Sequence, residues 1–130
     1  GLKGENMKYT TSHHLTINKE CLIMIDVYKN FQELEENDKR LALELLNDKG
    51  KGEWQNQEIY FHNNIECFAE YELIDGWYID LNLDSDFNGA PNPLDFINLE
   101  ELGNALTKNW DDTCNFQSIN GNVLQISYGW

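Results

Sequence analysis

The sequence is short of positive charge. Its 130 residues hold 9 Lys and Arg against 23 Asp and Glu, which gives a net charge of −14 at pH 7. Such an imbalance attracts cations and basic partners and opposes binding to nucleic acids and anionic membranes. Since Arg40 is the one arginine, the chain is also poorly supplied for chemistry on phosphate groups.

The sequence also lacks catalytic and targeting motifs. It contains no G-x-S-x-G, H-E-x-x-H, P-loop or dinucleotide fingerprint, so we do not expect an enzyme. The histidines are interpreted as surface or loop residues, because neighbours such as His13 and His14 point to opposite faces of a strand, and His62 stands alone. Long apolar runs and a signal-peptide pattern are missing, which predicts a cytoplasmic protein with no membrane partner.

Cysteine is scarce and widely spaced. Cys21, Cys67 and Cys114 are an odd number, separated by about 46 residues, which argues against a disulfide framework. No C-x2-C pair exists, so a zinc site is not expected. We therefore predict three buried, reduced and inert thiols, as is usual in the cytosol.

The sequence contains enough apolar residues to form a hydrophobic core. Its hydrophobic content is 41% and its aromatic content 12%, values typical of a folded domain rather than of a disordered acidic tail. Residues 1–6 are interpreted as a possible cloning remnant ahead of an initiator at Met7. Residues 7–130 are then expected to form a single α+β domain.

Three helices are predicted from apolar spacing and capping residues. The first begins at Asn18 and carries one apolar face; the alternative for this stretch is a buried strand over residues 21–27. The second is capped by Asp38 and ends at Gly50. The third begins at Asn98, which forms a capping-box-like pair with Glu101. The predicted inward positions are Cys21, Met24, Ile25, Tyr28 and Phe31 in the first helix, Leu41, Ala42, Leu45 and Leu46 in the second, and Leu99, Leu102, Leu106 and Trp110 in the third, with Ile97 packing onto Leu102.

Strands are predicted where apolar and polar residues alternate. Three such segments cover residues 59–62, 65–73 and 77–83, and a last hairpin spans 116–128 around Asn120-Gly121. The order ααβββαββ predicts an α+β fold: a mostly antiparallel sheet of about five strands with three helices packed on one face.

The register of the central hairpin predicts an acidic sheet face. A three-residue loop over 74–76 keeps both apolar sets on one side, and it places Glu70 opposite Asp80 and Glu66 opposite Asp84. Like charges facing each other are destabilising, by roughly 0.2–1 kcal/mol per pair. We interpret this face as a partner-binding surface, although an ordinary solvated face is the alternative. Its residues are Tyr60, Glu66, Phe68, Glu70, Glu72, Tyr78 and Asp80.

Residues 84–95 resemble the EF-hand calcium loop. Asp84, Asp86 and Asn88 occupy its first, third and fifth positions, and Asp95 its twelfth. The turn is supplied by Gly89, with Ala90 and Asn92 at positions seven and nine. The segment departs from the EF-hand pattern at position twelve, in its two prolines and in the preceding strand. A plain loop between strand and helix is the alternative.

In size and charge the whole chain resembles the immunity proteins of bacterial toxin–immunity pairs, including contact-dependent inhibition systems. No motif carries this resemblance. It implies a small acidic inhibitor that covers the cationic site of a basic nuclease toxin, with Tyr60, Phe68 and Tyr78 as binding anchors. The alternatives are a calcium-binding module, a nucleic-acid mimic that blocks a DNA-binding protein, and an enzyme of unrecognised type.

Overall fold

The computed structural model of the chain describes Cys21 and residues 26–130. None of the helices in this part of the chain has the length and apolar character that a membrane span requires. The α-helices and strands follow in this order: β1 (Asp26–Tyr28), α1 (Phe31–Asn37), α2 (Lys39–Lys49), β2 (Ile59–His62), α3 (Ile65–Ile74), α4 (Leu99–Asn109), β3 (Asn115–Gln117) and β4 (Val123–Ile126). Short 3-10 turns lie at Glu53–Asn56, Ile79–Leu81 and Pro93–Phe96.

The strands form one antiparallel sheet in the order β1-β2-β4-β3. This confirms the α+β class and the predicted final hairpin, in which Gln117 pairs with Val123 on either side of Asn120-Gly121. The strand predicted at 59–62 is also confirmed. In the described residues the sheet has four strands instead of about five.

One face of the sheet is apolar. Ile59, Leu124 and Ile126 lie on this face and form a single buried cluster with α1 and α2, to which Leu34 and Leu45 contribute. The register places Ile59 directly opposite Ile126, so the apolar side chains of β2 and β4 stack across the ladder. This cluster is the main core of the molecule.

The other face of the sheet is covered as well. Val123 packs there against Phe68 of α3 and Leu106 of α4. The prediction that the helices pack on one face is therefore wrong, since α1–α2 and α3–α4 enclose the sheet as two separate layers. Central strands that are buried on both sides explain why His62 at the end of β2 is fully buried.

The predicted boundaries of α2 and the predicted start of α4 are confirmed. The side chain of Asp38 accepts a hydrogen bond from the amide of Leu41 at 3.1 Å, and α2 ends at Lys49. Asn98 caps α4 in the same way, accepting from the amide of Glu101 at 3.0 Å. Both helices therefore begin where a short polar side chain satisfies a free amide.

The strands predicted at 65–73 and 77–83 are wrong. Residues 65–74 form α3, whose first turn is capped by Asn64 through a 2.8 Å bond from the amide of Cys67. The hairpin pairs Glu70–Asp80 and Glu66–Asp84 therefore do not exist. Because α3 is buried on several sides, it carries apolar residues at strand spacing as well as at helix spacing, and alternation alone misassigned it.

Helices α3 and α4 pack at very short range. A β-carbon at Gly103 of α4 would lie 2.7 Å from the carbonyl oxygen of Ile65 and 2.6 Å from its side chain. Glycine is thus required at this crossing, because any side chain would push α4 away from the first turn of α3.

Much of the predicted first helix lies outside the described residues, as do residues 1–6, His13 and His14. Within the described part, the helix prediction is wrong for residues 26–28, which form β1 and pair with β2. Phe31 begins α1 instead, with Asn30 as its cap.

Two of the cysteines form a disulfide. Cys21 is bonded to Cys67, with the Cα atoms 5.0 Å apart, so the prediction of three reduced thiols is wrong. Cys114 is free and half-buried. An odd number of cysteines is compatible with one bridge and one thiol, and sequence separation does not reveal spatial proximity. Disulfides persist mainly in oxidising compartments, so a cytoplasmic location no longer has the support of the cysteines.

Candidate functional site

Negative charge is concentrated in one continuous part of the chain. Residues 63–107 hold ten Asp and Glu and no Lys, Arg or His, whereas residues 26–58 hold nine acids and five Lys and Arg. We call residues 63–107 the cation-free segment. It comprises α3, the long connection after it and most of α4. Without internal cations to neutralise it, this segment is the source of most of the molecule's negative field.

The predicted partner-binding residues are not brought together on an exposed sheet face. They are distributed as follows: Phe68, Glu70 and Glu72 are buried, Tyr60, Glu66 and Tyr78 are half-buried, and Asp80 is exposed. The predicted surface fails because residues 65–74 form a helix, α3, which buries Glu70 and brings Glu72 against Gln125 of the sheet. A role in partner binding stays a prediction for Asp80 and the half-buried members.

Glu72 is an internal carboxylate and not a surface one. Its side chain is 8% exposed, and its two oxygens accept hydrogen bonds from different directions. One bond comes from the backbone amide of Trp77 at 3.0 Å, and the other from the side-chain amide of Gln125 at 3.1 Å. A buried carboxylate is tolerated when it is bonded in this way. Glu72 therefore joins the connection after α3 to strand β4.

Gln125 extends this network to His62. The amide nitrogen of Gln125 donates to Glu72 and also to Asn115 at 2.9 Å, so its oxygen must act as the acceptor. That oxygen lies 2.7 Å from Nε2 of His62, which makes Nε2 the protonated nitrogen of the ring. The chain of bonds thus runs from a buried imidazole to the backbone of Trp77.

His62 is held in its neutral form. Burial lowers the pKa of its imidazole to about 4, and the hydrogen bond to Gln125 opposes this effect only in part. Nδ1 has no hydrogen-bond partner among the described residues. Protonation there would leave a buried donor unsatisfied. The interpretation of His62 as a surface or loop residue is therefore wrong.

The connection between α3 and α4 begins with a compact turn over residues 76–82. Three of its side chains point outward: Trp77 is 59% exposed, Ile79 50% and Leu81 57%. Asp80 lies between them and is exposed as well. Tyr78 points inward and packs against both apolar clusters under α3 and α4. The turn thus presents large apolar side chains from within the cation-free segment.

The loop predicted to bind calcium lies in the same connection. Asp86 and Asp95 line a cavity of about 310 Å³, and Asp84 and Asn88 are not among its lining residues. Asp86 accepts a hydrogen bond from the amide of Asn88 at 3.0 Å, which forms a local turn. Asn88 adopts a left-handed conformation with φ of 59°.

The residue at position nine of this loop has a structural role. Asn92 is 3% exposed; its amide nitrogen donates to the carbonyl of Leu83, and its oxygen accepts from the amide of Leu94 at 2.8 Å. Both polar atoms of its side chain therefore hold the loop in place. Across the described residues, no group of three or more His, Cys, Asp and Glu side chains could hold a metal ion. Calcium binding at 84–95 stays a prediction.

Comparison with protein families, with curated proteins and with solved structures finds no match to this chain. Sequence reasoning missed Trp77, Gln125 and the buried role of Glu72, because each depends on α3 being a helix. The available signals were Asn64 as an N-cap and the run from Ala69 to Leu73, which lacks β-branched residues.

Proposed function

We propose that the protein is an acidic inhibitor that binds and neutralises a basic protein partner, as an immunity protein neutralises a nuclease toxin. The observation that carries this proposal is the cation-free segment. A surface of one sign accelerates encounter with a surface of the opposite sign and suppresses association with other partners. The same field repels nucleic acid, so a direct nucleic-acid ligand is disfavoured.

The position of the acids supports a partner more than their number does. Acids dispersed among lysines, as in residues 26–58, keep a protein soluble without directing it toward a ligand. In the cation-free segment the exposed acids lie beside exposed apolar side chains, including Trp77 and Phe96, which is 77% exposed. Protein interfaces combine these two features, with aromatic anchors inside a polar rim.

The proposal is tested with two charge-reversed variants of equal net charge. Asp80→Lys with Asp84→Lys alters the cation-free segment, and Glu35→Lys with Glu53→Lys alters exposed positions of residues 26–58, one in α1 and one in the 3-10 turn after α2. Binding to a synthetic arginine peptide is measured by calorimetry at about 50 mM NaCl, where screening is weak. We expect the first variant to lose about tenfold in affinity and the second about twofold or less.

Equal losses in both variants would show that only total charge matters, and would refute a dedicated surface. Neutralisation is then tested by co-expression with any basic nuclease domain that a gene adjacent to this one encodes. Restored growth supports the immunity role, and failure with every such domain contradicts it. A nucleic-acid mimic is recognised by a different result, competition with duplex DNA for a DNA-binding protein.

A further inference from the structure

The turn over residues 76–82 exposes more apolar surface than the fold requires. Trp77, Ile79 and Leu81 are each at least half exposed although they lie within five consecutive residues. Single exposed apolar residues are common on protein surfaces, but a continuous group of this size is typical of an interaction site. The acidic side chain of Asp80 lies among them.

This turn is held rigidly by hydrogen bonds from its own backbone. The amides of Trp77 and Tyr78 donate to the carboxylate and the carbonyl of Glu72, at 3.0 and 2.9 Å respectively. Further along, the amide of Ile79 donates to the carbonyl of Gly76 at 3.1 Å. The outward side chains are therefore presented from a fixed backbone.

Gly76, the first residue of the turn, and Glu72 in α3 together hold the turn in place. A β-carbon at Gly76 would overlap Oε1 of Glu72, so glycine is required for the carboxylate to reach the amide of Trp77. Burying Glu72 is costly in itself, and Gln125 offsets this cost by donating to its second oxygen. Rigid presentation of this kind increases affinity, because less conformational freedom is lost on binding.

The negative charge around the turn determines which kind of partner can bind there. A second copy of this chain would bring another cation-free segment against the first, and an anionic membrane would be repelled in the same way. A guanidinium group fits both features of the turn, since it stacks on an indole ring and pairs with a carboxylate. Lysine can form the ion pair but does not stack as a planar group.

We propose that the turn over residues 76–82 is the docking element for an arginine-rich protein surface. In this arrangement Trp77 stacks on a guanidinium and Asp80 pairs with it. Ile79 and Leu81 cover the aliphatic parts of the partner's side chains. Glu72 and Gly76 are positioning residues for the turn. This inference rests on the proposed function, and it specifies which part of the cation-free segment makes contact and which cation it selects.

The test compares arginine and lysine peptides of equal length and charge. Binding is followed by calorimetry and by the ¹⁵N-labelled indole resonance of Trp77. We expect the arginine peptide to bind about tenfold more tightly than the lysine peptide and to shift that resonance. Trp77→Ala is expected to remove this preference, while Phe96→Ala, an exposed aromatic of the same segment, leaves it unchanged.

The positioning role has its own readout. Gly76→Ala is expected to reduce the arginine preference with Trp77 still present, because the added methyl group displaces the Glu72 carboxylate. Melting curves and the Trp77 resonance in the free protein show whether this variant is folded. If it does not fold, Glu72→Gln replaces it: a glutamine has one acceptor oxygen and cannot keep both bonds, so the same reduced preference is then the expected result.

The outcomes separate this inference from the proposed function. If Trp77→Ala and Phe96→Ala behave alike while the Asp80→Lys, Asp84→Lys variant still weakens binding, the docking turn is refuted and the basic partner stands. If neither peptide binds at about 50 mM NaCl, both the docking turn and the proposed basic partner are refuted. Self-association that Trp77→Ala abolishes identifies a second copy as the occupant and overturns the inference.

Discussion

The two helical layers of this protein cover the same sheet by different means. The α1–α2 layer is joined to the sheet by one continuous apolar cluster that includes Leu34, Leu45 and Leu124. The α3–α4 layer contains two smaller apolar clusters, and between it and the sheet lie the buried side chains of His62 and Glu72 and the half-buried side chain of Gln125. Lysines and an arginine accompany the acids throughout residues 26–58, whereas Lys108 in the last turn of α4 is the one lysine or arginine of the α3–α4 layer.

This difference indicates that one layer of the domain mainly stabilises the fold, while the other mainly shapes the surface for recognition. Apolar packing stabilises a fold without needing any particular geometry of polar groups. A buried polar network depends on complete hydrogen bonding, and it fixes the backbone to which it is bonded. Here the network ends at the amide of Trp77, so the polar layer controls the shape of the exposed turn.

The largest expected effect is that of breaking the covalent tether of the polar layer. The Cys21–Cys67 disulfide closes a loop of sequence separation 46, which corresponds to a stabilisation of about 4 kcal/mol in the chain-entropy model. Reduction is therefore expected to lower the free energy of unfolding by about that amount. Urea denaturation with and without a phosphine reductant measures the change.

Cys114→Ser provides the matched control, since Cys114 is not in the bridge. It is expected to alter stability by less than about 1 kcal/mol and to leave the response to reductant intact. An unchanged urea midpoint on reduction would mean that the apolar layer alone supports the fold, and the proposed division of the molecule would be wrong.

A second effect follows from His62. The pKa of this residue is about 4 in the folded state and 6.5 in its ordinary state, so the unfolded chain binds the proton first as the pH falls. Stability from the neutral imidazole is fully present above pH 6.5 and decreases down to about pH 4. The expected total loss is about 3 kcal/mol.

His62→Gln removes this titration. The difference between the two proteins therefore separates the contribution of His62 from that of the carboxylates, which titrate over a similar pH range. Urea denaturation of both proteins at several pH values across that window gives the difference in slope. Parallel curves for the two proteins would show that His62 does not titrate differently on folding, and that its burial has no consequence for stability.

The sequence predicted the parts of the fold that are determined locally. Asp38 and Asn98 cap helices, and Asn120-Gly121 turns a hairpin, because each needs only its immediate neighbours. The α3 helix was missed for a tertiary reason. Its burial by the sheet and by α4 adds apolar residues outside a single helical face, which leaves the alternation of a strand.

The sequence predicts that the candidate site is acidic, but it does not predict where the acidic side chains lie. Asp80 was placed correctly on the surface, but Glu70 and Glu72 were expected beside it and are buried. The disulfide was also out of reach, because Cys21 and Cys67 are joined by tertiary contact rather than by a spacing motif. The burial of side chains and the pairing of distant cysteines depend on how the helices pack on the sheet, which local sequence patterns do not reveal.

The smallest expected effect tests whether the two layers open separately. Asn30 caps α1 by accepting from the amide of Glu33 at 2.9 Å, and Asn98 caps α4 with a bond of 3.0 Å. Replacing either with alanine is expected to cost about 1 kcal/mol in global stability. If the layers are separate cooperative units, amide exchange rises in α3 and α4 for Asn98→Ala and in α1 and α2 for Asn30→Ala. Asn104→Ala, at an exposed position inside α4, is the control and is expected to slow exchange slightly, because alanine favours the helix. Equal increases throughout the chain in both cap variants would instead show a single cooperative unit, in which the polar layer is as stable as the apolar one.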